Sequence, residues 1–199
     1  MELATRRWNA KKVLLVGLGV FVAAVVVAVA VGFGASRRVT GASMRPALRG
    51  GDRVLVDSSA YHKSPPGRFD VVALHPPGGS GLSMKRVIGL PGDRVQIRAV
   101  DGQLQVLVQP GGTGGWFIAD AHHHVDWGAG CCAADGTSNA GDAVVVPAGK
   151  YFVLGDNPAA SEDSRKFGFV DGSAIVGRAT FRIWPPGGIG GRPKLVPLR

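Results

Sequence analysis

The sequence has few cysteines, and the two that it contains, Cys131 and Cys132, are adjacent. A disulfide between neighbouring residues is strained, so a disulfide to another chain and two free thiols remain the open possibilities. The nearby run His122-His123-His124 adds potential zinc ligands. Structural zinc sites prefer cysteines about two to four residues apart, because adjacent residues rarely direct both thiolates at one metal. We therefore expect a solvated loop here, with no metal and no cofactor.

Aromatic residues make up only 7% of the chain, and 14 acidic residues face 23 lysines and arginines, for a formal net charge of +9. A nucleic-acid-binding protein concentrates such an excess in a basic helix or patch. Here the basic residues are scattered, and no aromatic platform accompanies them. We therefore expect no nucleic-acid partner. An anionic phospholipid membrane beside the domain is the simpler partner for its positive charge.

Long apolar runs are also scarce, because the sequence has only one, 23 residues without a charge from Val13 to Ala35. As a helix it spans about 35 Å, enough to cross a hydrocarbon core of about 30 Å. A cleavable signal peptide is the alternative, since Ala28-Val29-Ala30 has the small residues of a cleavage site. However, the run continues past that point and exceeds the usual apolar region of about 7–15 residues. We predict an uncleaved, single-pass anchor over residues 13–35.

The charges that flank the run predict its orientation. Four basic residues lie within residues 1–12, which the positive-inside rule places in the cytoplasm. Arg37 and Arg38 follow the run and weaken this contrast. They precede a long domain, however, and long domains translocate with little regard to such charges. We therefore expect the domain that follows to lie outside the cytoplasmic membrane.

Helical patterns are missing beyond the anchor, where period-2 alternation of apolar and polar residues dominates. The alternation predicts strands over residues 53–57, 70–74, 94–99, 103–108, 143–146, 150–154 and 174–183. The 31 glycines and 13 prolines supply turns between them. We expect a mostly β, barrel-like or sandwich domain over residues 36–184. It should contain a smaller, loop-rich insertion at about 109–142 and precede a Gly/Pro-rich tail at 185–199.

Two reactive side chains stand out in this domain, Ser43 and Lys85. A serine hydroxyl is a poor nucleophile until a positioned base takes its proton. A lysine can be that base only when neutral, so its pKa must fall by several units from about 10.4. Apolar neighbours of Lys85 favour the burial that lowers it, and strand geometry puts Ser83, Lys85 and Val87 on one face. These residues allow a serine–lysine dyad, although a loop serine and a solvated lysine would have the same pattern.

Four segments strengthen the dyad hypothesis, because together they resemble the type I signal peptidases. Residues 41–52 (GASMRPALRGGD) resemble the nucleophile motif of that family, and residues 85–93 (KRVIGLPGD) its general-base motif. Residues 155–170 (GDNPAASEDSRKFGFV) are similar to its C-terminal signature, and residues 68–72 (RFDVV) to an intervening strand. The resemblance implies a serine endopeptidase of the bacterial plasma membrane that removes signal peptides from secretory preproteins.

The resemblance also implies roles for individual residues. Ser43 attacks the scissile carbonyl, Lys85 takes and returns the proton, and Ser161 hydrogen-bonds the Lys85 amine and orients it. Asp163 and Arg165 form a supporting ion pair.

The oxyanion donors implied by the resemblance begin with the backbone N–H of Ser43. Some family members place a hydroxyl residue two positions before the nucleophile as a second donor, where this chain has Gly41. We expect a backbone donor or water near Gly41 to replace it. A second departure is Pro158, which stands where the family commonly has arginine. Proline removes an N–H and fixes φ, so we expect a stiffer loop near Ser161.

The substrates of the family carry small residues at the first and third positions before the cut. An extended substrate would add along the strand edges beside the dyad. We expect shallow apolar pockets lined by Met44, Leu48, Ser83 and Met84. Two alternatives stay open: a specialised peptidase that matures one substrate, such as a pilin or a conjugation protein, and a catalytically silent scaffold. The eukaryotic-type enzymes, which use histidine in place of lysine, are excluded by Lys85.

Overall fold

A computed structural model describes residues 9–79, 81–120, 142–190 and 193–198 of the chain. The chain divides into two compact units, Met1–Ser36 and Arg37–Arg199. The His122-His123-His124 run and Cys131 and Cys132 lie outside the described residues.

The first unit contains the helix α1, Ala10–Ala35, whose 26 residues rise about 39 Å. It begins three residues before the apolar run, because Lys11 and Lys12 join its first turn. Its apolar side chains are exposed, as in Leu14 at 74%. Within the described ranges it is the one helix that is long and apolar enough to cross a membrane. The predicted apolar helix is confirmed, with an earlier start.

The rest of the described chain is mostly β, as the alternation predicts, and its only other α-helix is the single turn α2, Ser164–Phe167. The strands are β1 Ser36–Arg38, β2 Arg53–Asp57, β3 Val71–Leu74, β4 Ser83–Gly89, β5 Arg94–Val100, β6 Gln103–Gln109, β7 Phe117–Asp120, β8 Val144–Val145, β9 Lys150–Leu154, β10 Val170–Asp171, β11 Ile175–Trp184 and β12 Lys194–Pro197.

Seven strands form one sheet, in the order β1-β2-β11-β3-β4-β9-β10. Strand β4 lies inside this sheet, antiparallel to β3 on one side and to β9 on the other. Lys85 is opposite Val72 of β3, and Arg86 is opposite Leu154, the last residue of β9. This register brings the segment after β9 next to the lysine, although about 70 residues of chain separate them.

The other five strands form a second sheet, in the order β12-β7-β6-β5-β8. Two of its strands lie where the sequence pattern predicted none. The region 109–142, expected to be loop-rich, contributes β7, and the tail 185–199, expected to bury little, contributes β12. The two strands pair with each other, with Leu195 opposite Ala119, and Leu195 packs against the core. Each of these short strands is stabilised by a partner strand that is distant in sequence. The alternation of apolar and polar residues within each one is therefore too weak to predict it.

The core has two parts that matter for the site. One lies between the sheets, where Phe152 and Phe169 meet edge to face with ring centroids 6.2 Å apart. The other packs the segment between β1 and β2 against the seven-stranded sheet; its buried members are Val39, Met44, Leu48, Val54, Val71 and Ala179. The segment that contains Ser43 and the strand that contains Lys85 therefore both have side chains packed in the core.

Gly89, at the end of β4, tests this packing. A Cβ there would lie 2.7 Å from Val95 Cγ2 and 2.9 Å from Phe152 Cβ. We expect Gly89→Ala to lower the free energy of unfolding by about 1–3 kcal/mol, because the core is already full. Urea unfolding in detergent measures this. Gly115→Ala is the matched control, since nothing lies within 4 Å of a Cβ there, and an equal loss in both variants would contradict the packing.

Candidate active site

Ser43 lies in the segment between β1 and β2, and buried neighbours hold it in place. Met44 and Leu48 follow it in sequence and are both buried in the core, at 1% and 0% exposure. The Leu48 N–H donates to the Met44 carbonyl at 2.8 Å, which closes a turn directly after the serine. The hydroxyl of Ser43 is therefore presented by a segment whose apolar side chains anchor it.

Lys85 reaches Ser43 from β4. The lysine is only 3% exposed. Its Nζ donates a hydrogen bond to Ser43 Oγ at 3.3 Å and another to Ser83 Oγ at 3.0 Å. The two residues that the sequence pairs as a dyad thus lie within hydrogen-bonding distance, across 42 positions of the chain.

Burial lowers the pKa of Lys85 below its ordinary value of 10.5, because desolvation penalises the ammonium form. The negative charges of Asp163 and Glu162 oppose this and raise the pKa, whereas the positive charge of Arg165 lowers it. Desolvation is the largest of these effects. Lys85 therefore loses its proton more readily than an exposed lysine does, and the neutral amine is the form that can accept a proton.

The segment after β9 is hydrogen-bonded to the backbone that carries Ser43. The backbone N–H of Asn157 donates to the Ser43 carbonyl at 2.9 Å, and its side-chain Nδ2 donates to the Ala42 carbonyl at 3.2 Å. Gly155 makes this close approach possible, since a Cβ there would lie 2.5 Å from the Ser43 carbonyl oxygen. The C-terminal signature thus holds the backbone on which Ser43 is placed.

A buried ion pair fastens the same segment to β4. Arg86 donates from Nε to Asp156 Oδ1 at 2.8 Å and from Nη2 to Asp156 Oδ2 at 2.6 Å. Both side chains are nearly inaccessible, at 3% and 1% exposure. Two parallel hydrogen bonds between a guanidinium and a carboxylate fix orientation as well as distance. The pair therefore sets how the segment 155–165 sits beside Lys85.

The expected ion pair of Asp163 and Arg165 is present, with Arg165 Nε 2.8 Å from Asp163 Oδ1. Asp163 is fully buried, and its Oδ2 accepts a hydrogen bond from the Gly155 N–H at 3.0 Å. Arg165 Nη2 also donates to the carbonyls of Pro158 and Ser161, at 3.1 and 3.3 Å. Pro158 therefore takes part in this network through its carbonyl oxygen. The N–H that proline lacks is not needed for this hydrogen bond.

Ser161 does not make the expected hydrogen bond to Lys85. Its Oγ is buried, with no hydrogen-bond partner among the described residues. It packs tightly on Gly155, where a Cβ would overlap Ser161 Oγ, so the contact requires glycine. Ser83 takes the place expected for Ser161. It lies two residues before Lys85 on the same strand face, and its hydroxyl accepts the hydrogen bond from Lys85 Nζ.

Ser43 lines two clefts. The first cleft has a volume of about 470 Å³ and is lined by Arg37, Arg38, Val39, Thr40, Gly41, Ser43, Met44, His75, Leu82, Ser83, Met84 and Val176. The second cleft has about 330 Å³ and is lined by Gly41, Ala42, Ser43, Pro76, Pro77, Gly78, Gly79, Ser83, Lys85, Ala160, Glu162 and Phe167.

The first cleft contains three of the four residues expected to line substrate pockets, namely Met44, Ser83 and Met84. The expectation that Leu48 lines a substrate pocket is wrong. Leu48 lines neither cleft and is fully buried in the core. The turn that follows Ser43 directs Leu48 inward, so it supports the pocket without forming its surface.

Sequence reasoning did not identify Asn157, Arg86 or Asp156 as parts of the site, and it placed Ser83 only in a pocket. Ser83 had a signal, because it shares a strand face with Lys85. The other three had none beyond their position in the motifs, since their partners lie 70 or more residues away. The described residues contain no group of three or more His, Cys, Asp or Glu that could hold a metal ion.

The chain is similar to known signal peptidases. Residues 12–184 match the family described as "Signal peptidase, peptidase S26". Signal peptidase IB of Staphylococcus aureus is 36% identical over 148 residues, which are 74% of this chain and 76% of that protein. Signal peptidase I of Leptolyngbya laminosa is 33% identical over 163 residues, 78% of this chain and 71% of that protein. A crystal structure of a signal peptidase I from Enterococcus faecalis has 31% identity and a TM-score of 0.42, covering 58% of this chain and 97% of that chain.

Substitution of Ser83 and of Ser161 should have different effects on activity, because only Ser83 is hydrogen-bonded to Lys85. We expect Ser83→Ala to lower kcat for peptide-bond hydrolysis about two- to tenfold, because it removes a hydrogen bond of about 0.5–1.5 kcal/mol to the reacting amine. Ser161→Ala should change kcat less than about twofold, because its hydroxyl has no partner among the described residues. Steady-state kinetics of both variants measures this, and a larger loss in Ser161→Ala would show that Ser161 orients the lysine in the working protein.

Proposed function

The chain belongs to the signal peptidase family, peptidase S26, and from this membership we propose that Ser43 is its nucleophile and Lys85 its general base. As a member of the family it is a serine endopeptidase that removes signal peptides from secreted preproteins. The observation that carries the dyad is the contact of a buried lysine with the serine hydroxyl, 3.3 Å from Nζ to Oγ. This contact also argues against a catalytically silent scaffold.

The proposed reaction begins with neutral Lys85, which takes the proton of Ser43 Oγ while that oxygen attacks the scissile carbonyl. The Ser43 N–H, with a second donor from the Gly41 region, stabilises the oxyanion. Lys85, now an ammonium, returns the proton to the departing amine, and an acyl-enzyme remains. A water molecule, deprotonated by Lys85, then hydrolyses the ester and regenerates Ser43. Asp163 and Arg165 support the dyad by holding the segment that carries Gly155.

The proposed substrate side of the reaction uses the first cleft. Met44 and Met84 line it together with Ser43, so their side chains limit the space next to the nucleophile. This favours small residues before the cut, as in preproteins of the secretory pathway. Peptide in an extended conformation would bind along the exposed edge of this cleft.

The proposed topology rests on the sequence. The four basic residues within 1–12 favour a cytoplasmic N-terminus, which puts the domain after α1 outside the bacterial plasma membrane. Only residues 36–42 separate the end of α1 from Ser43. In the proposed topology this domain meets translocated preproteins on the outer side of the membrane.

The dyad is tested by Ser43→Ala and Lys85→Met. We expect each to lower kcat/KM by at least about a thousandfold, because either change removes the same activated nucleophile. The measurement is cleavage of a purified secretory preprotein by the full chain in lipid or detergent. Equal cleavage by both variants and the unaltered protein would disprove the assignment, provided that thermal unfolding shows all three proteins folded.

The protonation state of Lys85 is tested by the pH dependence of kcat/KM, which reports the free enzyme. Because the base must be neutral and burial lowers the pKa of Lys85, activity should rise with pH through a midpoint clearly below 10.5. Lys150→Gln is the control, since Lys150 is on β9, pairs with Asp171 and lines neither cleft, and should leave the midpoint in place. A midpoint at the ordinary value of a lysine would remove Lys85 as the base.

A further inference from the structure

The two clefts share Gly41, Ser43 and Ser83 but differ in charge. The first cleft carries the cationic side chains of Arg37 and Arg38. The second has only two ionisable side chains among its described lining residues, Lys85 and Glu162. Because Lys85 must be neutral to act as a base, the described wall of the second cleft has a net charge of −1 when substrate arrives. Charge therefore changes sign from one cleft to the other.

The chemistry of the proposed dyad decides which part of a substrate meets which cleft. Lys85 takes one proton from Ser43 Oγ, and that proton must leave on the nitrogen of the broken peptide bond. The departing amine therefore has to lie beside Lys85 Nζ. Lys85 lines the second cleft and is not part of the first. It follows that the residues after the cut, which begin the mature protein, bind in the second cleft.

Glu162 is placed to act on those residues. It follows Ser161, in the segment after β9, and its side chain is 74% exposed. The hydrogen bond from Lys166 lowers the pKa of the Glu162 carboxyl, so the group is ionised at neutral pH. Lys166, one helical turn later, forms an ion pair with it but does not line the cleft. An exposed ion pair of this kind is weak. Of its two members, only the carboxylate of Glu162 lines the second cleft.

We propose that Glu162 is a specificity-determining residue, which favours cationic and disfavours acidic residues at the first positions after the cut. The inference rests on the proposed dyad, since the dyad identifies the leaving-group side. The carboxylate acts by attraction or repulsion across a solvated cleft, without a fixed contact. The expected discrimination is therefore modest, about three- to fivefold in kcat/KM for a single charge at low ionic strength.

The test uses three versions of one secretory preprotein that differ only in the second residue after the cut, which is Lys, Gln or Glu. The full chain in detergent should cleave the Lys version about three- to fivefold faster than the Gln version in kcat/KM, and the Glu version slower by a similar factor. Glu162→Gln should bring the Lys-to-Glu ratio close to one, and Glu162→Lys should invert it. Raising the salt to 1 M, where the Debye length is about 3 Å, should reduce the ratio in the unaltered chain.

Lys166→Gln is the matched control, because it removes the partner of Glu162 while leaving the carboxylate on the cleft. It should preserve or increase the Lys-to-Glu ratio. Ratios between substrates are compared within each variant, because the charge of Glu162 also raises the pKa of Lys85 and its removal shifts the pH dependence for all substrates alike.

The outcomes separate the two proposals. If the unaltered chain cleaves none of the three preproteins, the proposed function fails. If it cleaves all three with equal kcat/KM, or if Glu162→Lys keeps the original order, the dyad stands and the role of Glu162 is disproved. A ratio that follows the charge at position 162 and falls with salt supports the role.

Discussion

The desolvation of one amine is the constraint on which the rest of the site depends. Placing an ammonium group in a protein interior costs several kcal/mol, so a buried lysine tends to lose its proton. Lys85 is buried because β4 lies inside the seven-stranded sheet, between β3 and β9. A strand at the edge of the sheet would have left the same lysine in water with an ordinary pKa. The fold thus lowers the pKa of Lys85, as its proposed role as a base requires.

That burial has to be achieved without withdrawing the amine from the serine. The structure does so with polar contacts that bring three distant segments together. Arg86, adjacent to Lys85, is paired with Asp156 in the interior, and Asn157 next to it bonds the backbone of Ala42 and Ser43. Removing one member of a buried ion pair leaves the other charge uncompensated, which is strongly destabilising. These residues act on the dyad through position, since the described contacts place none of them on Lys85 Nζ or Ser43 Oγ.

The position of Lys85 also gives the site a direction. Lys85 lines only one of the two clefts that share Ser43. In the proposed reaction Lys85 returns its proton to the leaving group, so that cleft receives the leaving group. The other cleft is bounded by Met44 and Met84, which restrict side-chain size. In the proposed reaction this cleft takes the residues before the cut, and its packed walls limit the size of their side chains. On the leaving-group side the wall is open and Glu162 is exposed, so charge is the property available for discrimination.

Local patterns in the sequence determined the apolar helix and most strands, and the resemblance of four motif segments singled out Ser43 and Lys85. A charge-free run and a period-2 alternation each depend on neighbours within a few residues, and so they are visible in the chain itself. The tertiary structure decided the rest. It paired β7 with β12, turned Leu48 into the core, gave Lys85 the hydroxyl of Ser83 in place of Ser161, and joined Arg86 to Asp156 and Asn157 to Ala42 across 70 and 115 positions. Contacts over such separations depend on how strands pair and where loops cross, and no short segment carries that information.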